Sequence, residues 1–291
     1  MAMDLAGDVE LRIGHDDNID RKESGRETPS SFLSTVPAFS LQAQMPAGVT
    51  LAGGYELAYT RYLAEGLGER FAHRAWGDVT KRLRPGLFAD LNARLEALNS
   101  PQNREDEGWG FSLTPGLTYH LSDRLSARFE GSYGRWRYDS LDFDTGRAIV
   151  RLQTQQVDNR YAVKLGLVYL VSPGNAFGLA YRVADNRSNN AIDEYVTNAI
   201  LARADSRLGA DTRLSVEYDI ARWNYFDWHA GRMLRGKLRD DLQQHLRLEL
   251  EHALSPFTSL LFDAEMTIND SNLAYQSYER RLIYAGLRFN W

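Results

Sequence analysis

The chain has 291 residues and a formal net charge of -5, from 34 Lys and Arg against 39 Asp and Glu. Hydrophobic residues are 43% and aromatics 11% of the chain, which excludes disorder, and the charge balance is not that of a nucleic-acid binder. The absence of cysteine excludes thiolate metal sites, disulfides and a cysteine nucleophile. Mean hydropathy is -0.45, and the longest apolar stretch, Leu165 to Val171, falls far short of the roughly 20 residues a spanning helix needs. These averages describe a soluble protein; the pattern along the chain describes something else.

Residues 1–7 carry neither a basic n-region nor an apolar h-region, so the chain reads as cytoplasmic or as one whose signal peptide has been removed. They are set apart from a single domain expected over residues 8–291. From there the sequence alternates with a period of two in long segments. Leu51, Gly53, Tyr55, Leu57 and Tyr59 oppose Ala52, Gly54, Glu56, Ala58 and Thr60. Phe111, Leu113, Pro115, Leu117, Tyr119 and Leu121 oppose Ser112, Thr114, Gly116, Thr118 and His120. Leu125, Ala127, Phe129, Gly131 and Tyr133 oppose Ser126, Arg128, Glu130, Ser132 and Gly134. Val163, Leu165, Leu167, Tyr169 and Val171 oppose Ala162, Lys164 and Gly166, and Leu246, Leu248 and Leu250 oppose Arg247, Glu249 and Glu251. A soluble sandwich also alternates, but its strands average about 5–6 residues, whereas a transmembrane strand needs about 9–11. Residues 81–98 and 239–254 can be drawn as amphipathic helices; the alternation of Leu87, Ala89, Leu91, Ala93 and Leu95, and of the three leucines from Leu246, favours strands.

Six tight connections are rich in turn formers: Met45-Pro46-Ala47-Gly48, Leu83-Arg84-Pro85-Gly86, Leu121-Ser122-Asp123-Arg124, Ser172-Pro173-Gly174-Asn175, residues 206–211 and Ser255-Pro256-Phe257-Thr258. Between them lie mostly longer polar connections at residues 17–30, 64–69, 99–107, 138–153, 184–194, 223–237 and 269–277. Six turns and seven loops delimit fourteen strands, an even number with short turns on the periplasmic side and long loops outside. Alternation is poorest at residues 71–82 and 196–205; losing both strands would leave twelve. The spacing of about 40 residues between turns also suits a propeller, but a blade needs four strands in that span and only two fit. The expected fold is all-β, a closed antiparallel up-and-down transmembrane barrel.

With the apolar face toward lipid, the polar face lines a lumen. It would carry Glu10, Arg12, Glu56, Asp90, Arg94, Glu96, Arg128, Glu130, Lys164, Arg182, Glu217, Asp219, Arg247, Glu249, Glu251, Asp263, Glu265 and Arg288. Arg or Lys on the lipid face at mid-bilayer costs about 2–4 kcal/mol, so these residues belong inside. Eleven are acidic and seven basic, which predicts cation preference if they line an open channel; the alternative is a wall of cross-strand ion pairs that only stiffens the sheet. No segment is long enough for a plug domain, while loops 138–153 and 223–237 are the ones able to fold inward.

Enzymatic and metal chemistry find little support in the pattern. The histidines, His15, His73, His120, His229, His245 and His252, form no H-E-x-x-H or H-x-H pair, and no G-x-S-x-G or P-loop occurs. His229 near Asp227 is the candidate for a hydrolase. Asp16-Asp17-Asn18 and Asn269-Asp270-Ser271-Asn272 suit calcium at a loop rim or, more ordinarily, turns. No catalytic, cofactor or metal residue is assigned, and no cofactor is expected.

The chain ends Tyr284-Ala285-Gly286-Leu287-Arg288-Phe289-Asn290-Trp291, with Ile283, Ala285, Leu287, Phe289 and Trp291 on one face. Exposed termini are usually polar and frayed, and the other reading is a last core strand of a soluble sandwich. Tyr284, Gly286, Phe289 and Trp291 resemble the C-terminal assembly signal of Gram-negative outer-membrane barrels. Leu11-Arg12-Ile13-Gly14-His15-Asp16-Asp17-Asn18-Ile19, Ser30-Ser31-Phe32 and Val36-Pro37 resemble the first hairpin of the β-barrel porin family associated with exopolysaccharide operons. They are similar also to the barrel of surface lipoprotein assembly modulators, with His15 where those families more usually have Tyr. Asn269-Asp270-Ser271-Asn272 and Tyr278-Glu279-Arg280 share that character. The resemblance implies an outer-membrane location, contact with lipid, insertion by the barrel assembly machinery through the last strand, and a periplasmic helical-repeat scaffold or other export partner. The expected function is a channel or export conduit for exopolysaccharide or other hydrophilic solutes, not an enzyme. The alternatives are a secretion or surface-lipoprotein translocator opening between its first and last strands, and an outer-membrane hydrolase.

Overall fold

A strand that shows apolar groups to one side and polar groups to the other still carries unpaired N–H and C=O groups along its edges, and only closure removes every edge. The chain adopts that solution. In a computed structural model, fourteen antiparallel strands pair in sequence order, and the first pairs with the last to close the sheet. The structure describes residues 2–19, 27–100, 107–138, 141–144, 149–152, 155–190, 193–229 and 238–291. The barrel comprises β1 (Ala2–Asp16), β2 (Ser30–Met45), β3 (Val49–Tyr62), β4 (Glu69–Arg84), β5 (Leu87–Asn99), β6 (Gly108–His120) and β7 (Leu125–Tyr138). It continues with β10 (Gln156–Ser172), β11 (Asn175–Ser188), β12 (Tyr195–Arg207), β13 (Thr212–His229), β14 (Leu238–Ser255), β15 (Thr258–Ser271) and β16 (Tyr278–Asn290). A two-stranded hairpin, β8 (Leu141–Asp144) with β9 (Ile149–Leu152), occupies the connection between β7 and β10.

All fourteen expected strands form. The weakly alternating segments are β4 and β12, and the two stretches with helical spacing are strands in β4, β5 and β14. In two places strand runs further than expected. β1 begins at Ala2, and residues 2–7 pair with β2 as far as Gln44, so the segment set apart as 1–7 is sheet from its second residue. At the other end, β11 continues to Ser188 and β13 to His229, into the expected loops 184–194 and 223–237. There the outer face carries charge, with Arg187 paired to Asp185 and Arg222 to Asp240, and the inner face of β13 is aromatic. A ladder standing beyond the apolar belt needs backbone partners but no apolar face, so the period-two signal disappears while the strand persists. Residues 230–237 of the expected inward-folding loop lie outside the described residues.

Turn chemistry sets the short connections. Pro85-Gly86 and Pro173-Gly174 each place proline first and glycine second, with Gly86 at φ 76° and Gly174 at φ 86°. Proline fixes the first turn residue, and glycine alone adopts the second without a Cβ penalty.

The distribution of apolar groups is inverted relative to a soluble protein. The buried apolar residues are few, among them Phe32, Val36, Leu261 and Tyr284, whereas large apolar side chains cover the outside of the wall. Leu113, Leu117, Leu165, Leu167, Leu179, Ile200 and Leu246 form its middle band. Exposed aromatics flank them, with Trp109 and Phe226 toward the long-loop end and Tyr119, Tyr169, Phe257 and Trp291 toward the short-turn end. An exposed apolar surface of this extent needs a partner, and an aliphatic band between aromatic girdles fits a bilayer.

The β1–β16 ladder joins Asp8–Asp16 to Leu282–Asn290 in nine residue pairs, fewer than any other ladder of the barrel. Gly286 lies in it, and a Cβ there would sit 2.5 Å from the Leu11 carbonyl oxygen, a backbone atom that cannot move aside. Gly286→Val is therefore expected to destabilise closure by about 1–3 kcal/mol, the usual range for overpacking. It should lower the temperature at which the folded band is lost in heat-modifiability gels, with Gly131→Val, where a Cβ meets nothing within 4 Å, as the control.

Candidate functional site

Alternation divides every barrel strand between the apolar outer face and an inner face, and the pairing register carries that division round the closed sheet. Glu56 lies opposite Arg74, Arg74 opposite Glu96, Asp90 opposite Gly116, Gly116 opposite Glu130, Glu130 opposite Lys164 and Lys164 opposite Arg182. Across the remaining strands, Glu217 faces Arg247, Asp219 faces His245, Arg247 faces Glu265, Glu249 faces Asp263, and Glu10 faces Arg288. All the charged residues expected inside, Arg94 and Glu251 included, share this face. It is the interior, because a cavity of about 470 Å³ is bounded jointly by Glu10 of β1, Arg203 of β12 and Arg247 and Glu249 of β14. A second cavity of about 270 Å³ lies against Glu56, Arg74 and Glu96 on the opposite wall.

The interior charges are organised as ion pairs. At the seam, Arg288 Nη2 lies 2.6 Å from Glu10 Oε1, and its Nη1 lies 3.1 Å from Glu251. Arg12 also pairs with Glu10. Arg247 reaches Asp263 at 2.7 Å, Glu265 at 3.3 Å and also Glu249. Tyr284, under the Arg12 guanidinium at 4.8 Å, donates its hydroxyl to Asp263 at 3.2 Å. His245 stands between Asp219 and Glu265, 3.7 Å from each. On the other wall Arg74 bridges Glu56 and Glu96, Arg94 approaches Glu96 at 3.9 Å, Arg128 joins Asp90 and Glu130 at 2.9 Å each, and Lys164 pairs with Glu130. Among the residues expected to line the interior, Arg182 alone forms no ion pair.

The structure adds inner-face charges that sequence reasoning missed. Arg74 and the Arg203–Asp205 pair, with Arg203 also on Glu217, lie in the two strands whose alternation was weakest. Arg160–Asp158, Arg239–Asp241 and Arg280–Asp16 lie near strand ends read as loop margins. Parity would have found all of them once the strands were extended, since each keeps its strand's inner phase. Each arrives with a partner, and five arginines against four aspartates lower the acidic excess only from four to three.

Toward the long-loop end the inner face becomes aromatic. Tyr195 packs against Trp223 and Tyr225 with ring centroids 4.6 and 5.3 Å away, Arg239 lies 4.4 Å over Tyr225, and Arg160 lies 5.6 Å over Trp136. The connection between β11 and β12 is fastened here. Asn190 donates to the Asp193 carboxylate at 2.7 Å, and Asn186 donates to the Asp193 carbonyl at 2.6 Å.

The two acidic strings are engaged in closing loops. Asp16 takes up Arg280, Asp17 accepts the Arg281 N–H at 2.6 Å, and Asn18 donates to the Glu279 carbonyl. Asn269 donates to Asp241 and to the Gln276 carbonyl. No group of three or more His, Asp or Glu residues able to hold a metal occurs among the described residues. His229 ends β13, and the side chains of His229 and Asp227 lie outside the description. Of the terminal signature, Tyr284 and Gly286 sit on the inner face, while Phe289 and Trp291 sit on the outer.

This architecture defines a class: a transmembrane β-barrel of the outer-membrane type. Solved structures agree on the fold. The chain is similar to the CymD monoaromatic hydrocarbon channel at 12% identity and a TM-score of 0.54, over 100% of this chain and 89% of that one. It is similar to the anion-selective porin from Comamonas acidovorans at 12% identity and a TM-score of 0.52, over 100% and 99%. It is also similar to a loop-deletion mutant of OmpT, an outer-membrane protein of Vibrio cholerae, at 12% identity and 0.52, over 100% and 99%. No family model and no curated protein matches the sequence.

Burial, reinforced by the Asp158 carboxylate and opposed by Asn190, Gln156 and Arg239, pushes the Asp193 carboxyl up to about 6. A raised pKa means that folding favours the protonated form. This residue's contribution is complete below the ordinary carboxylate pKa near 4 and is lost as pH rises through about 6. Asp193→Asn is expected to flatten the pH dependence of the unfolding temperature between pH 4 and 7, and an unchanged slope would contradict this account.

Proposed function

We propose that the protein is an outer-membrane channel that conducts hydrophilic solutes. The observation that carries this reading is the pairing of an apolar outer belt with a continuous charged inner face enclosing cavities in a closed fourteen-strand barrel. Charge on the inner face of so wide a barrel is hydrated by a water path. The description of similar structures as a porin and as channels supports the same reading. The apolar belt and the terminal strand ending in Phe289 and Trp291 support an outer-membrane location and insertion by the barrel assembly machinery. The inner-face residues named from the sequence, from Glu56 to Arg288, are proposed as its pore lining.

Among cargoes we favour exopolysaccharide. Tyr195, Trp223 and Tyr225 offer ring faces to sugars, and the paired wall offers many hydrogen-bonding groups with little net field. A second reading, the translocator, draws on the short β1–β16 ladder. Against it, Arg288–Glu10 and Arg280–Asp16 fasten that ladder near both ends.

Purified protein in a planar bilayer is expected to give stepwise, ohmic conductance with weak cation preference, because a small acidic excess remains and most of the acidic groups are paired with arginine or lysine. Absence of conductance would overturn the channel. A disulfide engineered between Ile13 and Ala285, which pair across the seam, is expected to leave conductance unchanged; a translocator locked in this way would lose cargo delivery.

A further inference from the structure

The inner face breaks the pairing rule on the wall formed by β10 and β11. Lys164 and Arg182 lie directly opposite each other on β10 and β11, two cations side by side. Like charges facing each other across a ladder are destabilising. Lys164 is compensated from its other side by Glu130, but Arg182 is not: its neighbour on β12 is Ala199. Its Nε is buried and has no hydrogen-bond acceptor.

Two further donors beside it are equally unsatisfied. Thr197, two residues from Ala199 on the same face of β12, is 2% exposed, and its hydroxyl has no partner. Trp223, directly opposite Thr197 on β13, buries an indole N–H with no acceptor. Buried polar groups are nearly always hydrogen-bonded, and leaving one unmade costs about 1–3 kcal/mol. Three orphans on adjacent strands therefore point to a missing group rather than to chance. The orphans are a guanidinium, an indole N–H and a hydroxyl, so what is missing is an acceptor, and the neighbouring Lys164 makes it an anionic one. Several residues beside them on the inner face are small, Ala162, Gly166, Ala180, Ala184, Ala199 and Ala221, with Leu201 the bulky neighbour on β12.

We propose that Arg182, Thr197 and Trp223, with Lys164 alongside, form a binding site for the oxyanion of a hydrophilic solute, a carboxylate such as that of an acidic sugar or a phosphate. The site rests on the reading of this face as a solute path and adds a step to it. A channel whose wall is largely neutralised in pairs holds anionic solutes at this station on β10–β13. Tyr195, packed at a tilt against Trp223, extends the station with a ring face for the rest of the solute.

The test separates the site from the channel by measuring binding without transport. Sodium glucuronate, inorganic phosphate and glucose are titrated calorimetrically into the detergent-folded full chain and its variants. The expected result is binding of glucuronate, of phosphate or of both, with glucose inert; which anion binds identifies the source of the oxyanion. Arg182→Gln should weaken binding about tenfold or more, the value of one charge-assisted hydrogen bond. Trp223→Phe keeps the ring, removes the N–H and should weaken binding less. Arg182→Glu should abolish binding and raise the unfolding temperature, because it sets a carboxylate opposite Lys164. No anion binding, equal titrations for the parent and Arg182→Gln, or equal binding of glucose would overturn the site. Binding without conductance would overturn the channel and leave the site standing, and conductance without binding would do the reverse.

Discussion

The structure depends on the backbone hydrogen bond in a medium that supplies none. A strand crossing hydrocarbon must satisfy every N–H and C=O on both edges, and only a closed sheet does this for all strands at once. The consequences follow in order. An even number of antiparallel strands lets short turns alternate with long loops, and closure creates an inside. Alternation then assigns every second side chain to that inside. The seam between β1 and β16 is where the requirement is met last in the chain, and it has the fewest paired residues, the close approach at Gly286 and the ion pairs of Glu10 and Asp16.

The interior answers a second constraint. Charged groups cannot face lipid, and inside they stand a few ångströms apart on neighbouring strands. Pairing is the low-energy arrangement for such a wall, and most of its charged residues adopt it. Arg247 joins three acids and Arg128 two, while Glu10 holds two arginines. A wall paired in this way projects little net field into the lumen. Departures from pairing then carry information, and the uncompensated guanidinium of Arg182 beside two orphaned donors is the clearest of them.

Strand number and the inner or outer phase of most residues were legible in the sequence. Period-two alternation and turn formers such as Pro85-Gly86 and Pro173-Gly174 are local properties. β4 and β12 were harder to read. In β4, His73 and Lys81 lie on the outer phase and Trp76 on the inner; in β12, the inner phase carries Leu201. A strand can tolerate such exceptions because its neighbours supply the hydrogen bonds whatever its side chains are. The outer ends of β11 and β13 were hidden for a related reason: beyond the apolar belt the outer face carries charge and the inner face of β13 is aromatic, so apolar and polar residues no longer alternate in one phase.

The sequence by itself determined that the chain would be a closed barrel of long alternating strands and that its charges would lie within. Lipid on one side and water on the other impose a pattern that survives in every strand crossing the belt. Only the tertiary structure decided how those charges are joined, because an ion pair depends on the register between strands distant in sequence. Glu10 finds Arg288, Asp16 finds Arg280 and Arg128 finds Asp90 through closure and stagger, which no local pattern encodes. The opening averages, a net charge of -5 and a polar mean hydropathy, thus belong to a folded chain whose apolar face is turned outward and whose charges are paired within.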